Sequence, residues 1–211
     1  MYSKLQYISQ GVTANDQIRN IKSVLDAGCE WIQLRFKNED LASIMSLAEQ
    51  VKDLCSIYQA VFIVNDRVDI AKSVDASGVH LGLQDMAVIH ARNILGEQKI
   101  IGGTANTMED VMARMEEKCN YIGLGPFRFT VTKEKLSPVL GLEGYKKIVT
   151  EIEKNKTKIP LYAIGGVTIE DVAPLRQAGV YGVAVSGAVT NSSDKKRVIS
   201  DFNSELKESI L

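Results

Sequence analysis

Short, continuous apolar runs alternate along the chain with longer stretches in which apolar residues recur every three or four positions. The runs at about Leu5–Ile8, Trp31–Leu34, Val61–Val64, Val79–Leu81, Ile100–Gly102, Tyr121–Leu124, Leu161–Ile164 and Val183–Val185 read as strands covered on both faces. The intervening stretches carry the helical period. The clearest is Leu41–Cys55, which places Leu41, Ile44, Met45, Leu47, Ala48, Val51, Leu54 and Cys55 on one face. Thr107 stands three residues before Asp110, and Thr168 three before Asp171, each a capping signature for a helix start. Helix, small or polar break and apolar strand recur in that order at Asp26-Ala27-Gly28, Asp75-Ala76-Ser77-Gly78, Lys118-Cys119-Asn120 and Gln177-Ala178-Gly179. The glycines at these breaks suit helix C-caps, where a positive φ is needed.

Strict alternation of strand and helix predicts a parallel sheet with crossover helices. Eight such units within 211 residues predict an α/β fold, a single (β/α)8 TIM barrel domain over residues 1–211. An open doubly wound sheet is the alternative, and no Gly-x-Gly-x-x-Gly turn follows the first strand to support it. A barrel places its chemistry at the C-terminal strand ends, and those ends are polar. They carry Gln33, Arg35 and Lys37 after the second strand, Asn65 and Asp66 after the third, Asp85 after the fourth, and Thr104 and Asn106 after the fifth. By strand alternation Gln33, Arg35 and Lys37 share one face. Asp66 and Asp85 face one mouth and suit Mg2+ held jointly with water and substrate phosphates. The plainer alternative is that each merely caps or opens a helix. Glycine turns at Ile164-Gly165-Gly166-Val167-Thr168 and Val185-Ser186-Gly187-Ala188 follow strands seven and eight, where many barrels bind phosphate. Between Gly125 and Gly141 no period is clear. Thr130, Thr132 and Lys133 offer anion ligands there, and Phe127, Phe129, Leu136 and Val139 are too apolar for a plain linker, which predicts a lid that closes over substrate.

Composition narrows the function. A net charge of −1 argues against a general nucleic-acid or membrane surface, so anions must be captured locally. The 3 cysteines are widely spaced and suggest neither a disulfide framework nor a zinc site, which suits a reducing cytoplasm. The N-terminal residues contain no apolar export segment, and no run is long enough to span a bilayer. Of the 2 histidines, His80 falls within a strand and is expected to pack or hydrogen-bond in the barrel, and His90 is expected on a helix surface. Neither has a partner suggesting covalent catalysis.

With these pieces assembled, the chain resembles the thiamine-phosphate synthase family over nearly its whole length. The resemblance is carried by Gln33-Leu34-Arg35-Phe36-Lys37, Asn65-Asp66-Arg67-Val68-Asp69, Gly78-Val79-His80-Leu81-Gly82 with Asp85, Gly125-Pro126 with Thr130, Thr132 and Lys133, Gly165-Gly166, and Val185-Ser186. It implies a Mg2+-dependent transferase joining hydroxymethylpyrimidine diphosphate to hydroxyethylthiazole phosphate, with thiamine phosphate and pyrophosphate as products. By that likeness Asp66 and Asp85 hold the metal, and Arg35, Lys37, Asn65, Thr104 and Lys133 contact the diphosphate. Arg35, Lys37 and Lys133 carry the catalytic charge. Gln33, with Leu34 and Phe36 in the same segment, meets the pyrimidine. Thr130, Val131, Thr132, Gly166, Val185 and Ser186 cradle the thiazole phosphate. The partners implied are these small molecules, with no nucleic acid and no membrane, and a homo-oligomer is left open.

Departures from the family pattern are Leu83 where glutamine is common, Thr104 for serine, and Phe127-Arg128-Phe129 where a proline usually precedes the first threonine. The rival readings are a thiazole tautomerase of the same barrel family and a non-catalytic sensor of a thiamine precursor. Neither needs the retained charges Arg35, Lys37, Asp66, Asp85 and Lys133.

Overall fold

A computed structural model describes residues 2–37, 40–129, 138–154 and 158–207. Among these residues eight parallel strands close into a barrel in sequence order. They are β1 (Leu5–Ile8), β2 (Trp31–Leu34), β3 (Val61–Asn65), β4 (Gly78–Leu81), β5 (Ile100–Ala105), β6 (Tyr121–Leu124), β7 (Leu161–Ile164) and β8 (Gly182–Val185). The ring closes where Leu5, Gln6 and Tyr7 of β1 pair with Val183, Ala184 and Val185 of β8. Around it run α1 (Ala14–Asp26), α2 (Leu41–Ile57), α3 (Val68–Ser73), α4 (Val88–Leu95), α5 (Met108–Glu116), α6 (Gly141–Lys154), α7 (Val172–Gln177), α8 (Gly187–Thr190) and α9 (Lys195–Lys207), with a 3-10 turn, Ile169–Asp171, before α7.

The expected capping boxes are present. Thr107 and Asp110 exchange side chain to backbone bonds at the start of α5, and Thr168 and Asp171 do so at the 3-10 turn. The C-cap expectation holds at Gly28 (φ 92°) and Gly179 (φ 89°) and fails at Gly78. After α3 it is Asp75 (φ 48°) that takes the left-handed conformation. Gly78 opens β4 instead, where a Cβ would lie 1.9 Å from the Ile100 carbonyl oxygen, so glycine is needed there for close strand approach.

Two apolar layers result. One lies between barrel and helices and takes the outward side chains, such as Tyr7, Ile32, Leu34, Phe62 and Val64. The other fills the barrel with Ile8, Trp31, Ile63, Tyr121, Tyr162 and Ala184. Trp31, Tyr121 and Tyr162 meet edge to face at centroid separations of 5.2–5.4 Å. These rings stand at the first or second residue of β2, β6 and β7, so they plug the N-terminal end. Their bulk is accommodated by an empty position on the neighbouring strand, where Gly102 pairs with Tyr121: a Cβ on Gly102 would fall 2.2 Å from Tyr121 Cζ. With that end packed, the polar C-terminal rim is left as the place for a ligand.

Candidate active site

β3 ends at Asn65, and the chain then turns sharply through Asp66, whose φ of 63° is unusual for a side-chain-bearing residue. The Asp66 N–H donates to the His80 carbonyl at 2.8 Å, which fixes the turn against β4. Asp85 is held from the other side, its Oδ2 accepting the Gly82 N–H at 2.6 Å. Neither carboxylate caps a helix, because the N-cap positions of α3 and α4 are Arg67 and Ala87. The plainer alternative for both residues is thereby removed. The two carboxyl groups lie within hydrogen-bonding reach of each other, and Lys37 Nζ stands 3.0 Å from Asp66 Oδ2. Burial, and then the adjacent Asp85, push the Asp66 carboxyl above its ordinary range, and Lys37 pulls the other way.

Two hard oxygen donors set this close repel one another, and a divalent cation relieves that repulsion. Among the described residues no third His, Cys, Asp or Glu joins them in a metal-binding group. The donor set fits an ion that completes its shell with water and substrate oxygens, and it does not fit a closed protein cage.

β2 ends at Leu34, so strand alternation does not extend to Arg35 and Lys37, and their expected common face is not how the fold positions them. Gln33 is buried inside the barrel and donates from Nε2 to Asn65 Oδ1 at 2.8 Å. Lys37 joins Asp66, and Arg35 lines a cavity toward β7 and β8. The side chains of Leu34 and Phe36 pack into the outer apolar layer, leaving only backbone groups for a ligand.

Thr104 is the fifth residue of β5, where a shorter strand was expected, and it is buried. Its hydroxyl lies 3.0 Å from His80 Nε2, a contact that nothing in the sequence suggested. His80 Nδ1 meets the Tyr121 hydroxyl at 3.0 Å, and that oxygen accepts from Gln6 Nε2 at 3.1 Å. The arrangement that satisfies all three has Tyr121 donating to Nδ1, which leaves the proton on Nε2 to be donated to Thr104. A histidine in that tautomer orients the hydroxyl. His90 is exposed, as expected. Cys29, Cys55 and Cys119 are buried free thiols pushed by burial up to about 11, about 12 and about 11, which leaves them inert as nucleophiles.

The cavity on the β7 and β8 side has a volume of about 400 Å³. Arg35, Pro126, Gly165, Gly166, Val167, Thr168, Val185, Ser186 and Gly187 line it, together with Ile8 and Asn191, which sequence reasoning did not single out as site residues. Val185 is buried in the outer layer and offers backbone only. Ser186 Oγ donates to Gln10 Oε1 at 3.4 Å. Gly165 and Gly166 adopt φ of 89° and 71°, which lets the turn bring successive N–H groups to one side.

Thr130, Val131, Thr132 and Lys133 lie outside the described residues, and so does the middle of the expected lid. Its two ends are packed down. Phe127, expected to await closure, is already buried with its ring 5.8 Å from that of Tyr145, whereas Phe129 is exposed. Leu140 N donates to Pro126 O and Gly141 N to Phe127 O, joining one end to the other. Arg128 forms a two-oxygen ion pair with Asp171. Burial pushes the Asp171 carboxyl up, but bonds from Arg128 and Thr168 outweigh it and hold it below its ordinary range.

A carboxylate pair with a lysine and a glycine-turn cavity, brought to one rim by successive strand ends, have the form of a phosphate-handling (β/α)8 enzyme. Comparison with known proteins narrows the class. The family model described as thiamine monophosphate synthase matches residues 6–189. A thiamine-phosphate synthase of Flavobacterium johnsoniae is 55% identical over 211 residues, 100% of both chains. That of Flavobacterium psychrophilum is 56% identical over 206 residues, 98% of this chain and 100% of the other. The solved thiamine phosphate pyrophosphorylase of Pyrococcus furiosus superposes with a TM-score of 0.84 at 30% identity, over 97% of this chain and 95% of that one. The chain belongs to the thiamine monophosphate synthase family, and is an enzyme of thiamine biosynthesis. Among the described residues no helix is long and apolar enough to cross a membrane.

Proposed function

We propose that this chain is a Mg2+-dependent thiamine-phosphate synthase joining hydroxymethylpyrimidine diphosphate to hydroxyethylthiazole phosphate. The observation that carries the reading is that one rim brings together two groups of residues of different chemistry, each suited to one anion. One is built on the Asp66 and Asp85 carboxylates with Lys37, the other on the backbone turn at Gly165 and Gly166, and Arg35 lines the cavity of the second. Asp66 and Asp85 hold the ion, which when bound supplies positive charge against the diphosphate. Asn65, Thr104 and Lys133 add contacts to that group, and Thr130, Val131, Thr132, Gly166, Val185 and Ser186 serve the thiazole phosphate.

Gln33 supports the placement of the pyrimidine. Its Nε2 is committed to Asn65, and its Oε1 is buried with no hydrogen-bond partner among the described residues. An orphaned buried acceptor is costly. The amino group of an aminopyrimidine supplies the missing donor.

In the reaction the bond from the pyrimidine methylene carbon to the diphosphate oxygen breaks, and the electron pair leaves with pyrophosphate. The amino-substituted ring stabilises the resulting cation. The thiazole nitrogen then gives its lone pair to the new carbon–nitrogen bond. These two steps move no proton, so the protein acts by neutralising the leaving group and aligning the partners. That requirement agrees with a site of Arg35, Lys37 and Lys133 in which His80 orients Thr104.

Calorimetry with each substrate alone tests the two-site reading. The pyrimidine diphosphate is expected to bind at least about tenfold more tightly with Mg2+ than without, as charge compensation requires, and the thiazole phosphate equally well in both. Equal Mg2+ dependence for the two ligands would remove the assignment of the metal to one site.

A further inference from the structure

We infer that Arg128 is a positioning residue for the thiazole phosphate, because its backbone N–H and its guanidinium hold the Gly165 and Gly166 carbonyls away from the cavity and so turn the N–H groups of Gly166 and Val167 toward it. The inference rests on the reading of that turn as the phosphate site.

The segment that follows β6 lies across the turn. Phe127 N donates to the Ile164 carbonyl at 2.9 Å, Arg128 N to the Gly165 carbonyl at 2.9 Å, and Arg128 Nη1 to the Gly166 carbonyl at 2.8 Å. Three successive carbonyls are thereby pinned on one side. In a trans peptide the C=O and the N–H of the same unit point in opposite directions. The N–H groups of Gly165, Gly166 and Val167 therefore face away from Arg128, and these residues line the cavity. Successive N–H groups aimed to one side make a concavity that favours an anion.

The guanidinium is itself held in place. Nη1 and Nη2 engage the two oxygens of Asp171, Nη2 to Oδ1 at 2.5 Å, and Asp171 Oδ2 also accepts from the Thr168 N–H at 2.8 Å. One planar side chain thus ties the Gly166 carbonyl to the carboxylate that caps the 3-10 turn. The fork geometry is specific to arginine, since a lysine ammonium has no second, coplanar nitrogen with which to span both partners. Arg128 also closes the space beside Gly166, because a Cβ on Gly166 would lie 2.9 Å from Arg128 Cβ. Arg128 stands in the loop segment that departs from the family pattern, and the structure gives that departure a role.

Calorimetry on wild type, Arg128→Ala and Arg128→Lys, with circular dichroism to establish folding, separates positioning from charge. The probes are hydroxyethylthiazole phosphate, inorganic phosphate without Mg2+, and hydroxymethylpyrimidine diphosphate with Mg2+. Both variants are expected to bind the thiazole phosphate and inorganic phosphate about 10- to 100-fold more weakly, as a misplaced binding group implies, with pyrimidine diphosphate affinity changed less than about twofold. Arg128→Lys binding like wild type would reduce the residue to a diffuse charge and overturn the inference. So would equal losses for both organic ligands, or no loss for either. If Arg128→Ala does not fold, Arg128→Lys decides alone. If wild type binds inorganic phosphate but not the thiazole phosphate, and both variants lose inorganic phosphate, the synthase reading falls while the assignment of Arg128 stands.

Discussion

Two carboxylates decide most at the scale of single residues. Asp66 and Asp85 come from consecutive strand ends, cap no helix, and lie close enough to raise the proton affinity of Asp66. A pair kept for stability would be better served by one carboxylate facing Lys37 alone, since a like charge set beside the partly buried Asp66 disfavours its ionised form. Asp66→Asn and Asp85→Asn are therefore expected to lower turnover by roughly 10²-fold or more each, as loss of an electrostatic contact to a developing charge does, without lowering the thermal midpoint. Steady-state assays across a Mg2+ series, with melting curves on the same samples, check this. Activity near wild type at limiting Mg2+ would contradict it. These two positions were legible in the sequence because chain order alone places strand-end residues on the rim. The His80 contact to Thr104 was not, because β5 runs to Ala105 and a pattern of glycine and threonine hides its last residues. Arg128 was visible only as an oddity in a loop, since its partner Asp171 is distant in sequence and was assigned to capping alone.

Whole elements follow a simpler logic, set by which side chains the barrel must hold. The edge-to-face cluster of Trp31, Tyr121 and Tyr162 needs small neighbours, and Gly102 on β5 supplies one directly against Tyr121. Gly102→Ala places a methyl group 2.2 Å from Tyr121 Cζ, an overpacking that costs about 1–3 kcal/mol and lowers the melting temperature by several degrees. Because Tyr121 also holds His80, the same change is expected to slow turnover beyond the loss of folded protein. Differential scanning calorimetry alongside kinetics at a temperature where both proteins are folded checks it. An unchanged melting temperature would mean that the ring has room to move. The strands were readable to within a few residues because apolar runs buried on both faces leave little ambiguity. What the pattern did not resolve was the meaning of small residues: Gly78 serves strand approach and not a helix end.

At the scale of the whole molecule the barrel separates stability from chemistry. Its N-terminal end is filled with aromatic rings, and among the described residues its C-terminal rim carries Lys37 and Asp66 on one side and Arg35, Thr168 and Ser186 on the other. Periodicity was enough to count eight units and close them, and the order of strands then fixed which residues could meet. The division of the rim into a carboxylate side and a glycine-turn side needed the structure, because Arg35 and Lys37 are neighbours in sequence yet serve different sides. That division is what supports the proposed joining of two anionic substrates over the isomerisation of one. The direct measurement follows both products in one reaction containing both precursors and Mg2+, with each component omitted in turn. The account predicts thiamine phosphate and pyrophosphate in equal amounts, and neither when a precursor or Mg2+ is left out. Conversion of a thiazole phosphate to its isomer with no pyrophosphate released, unaffected by omission of the pyrimidine and the metal, would contradict it.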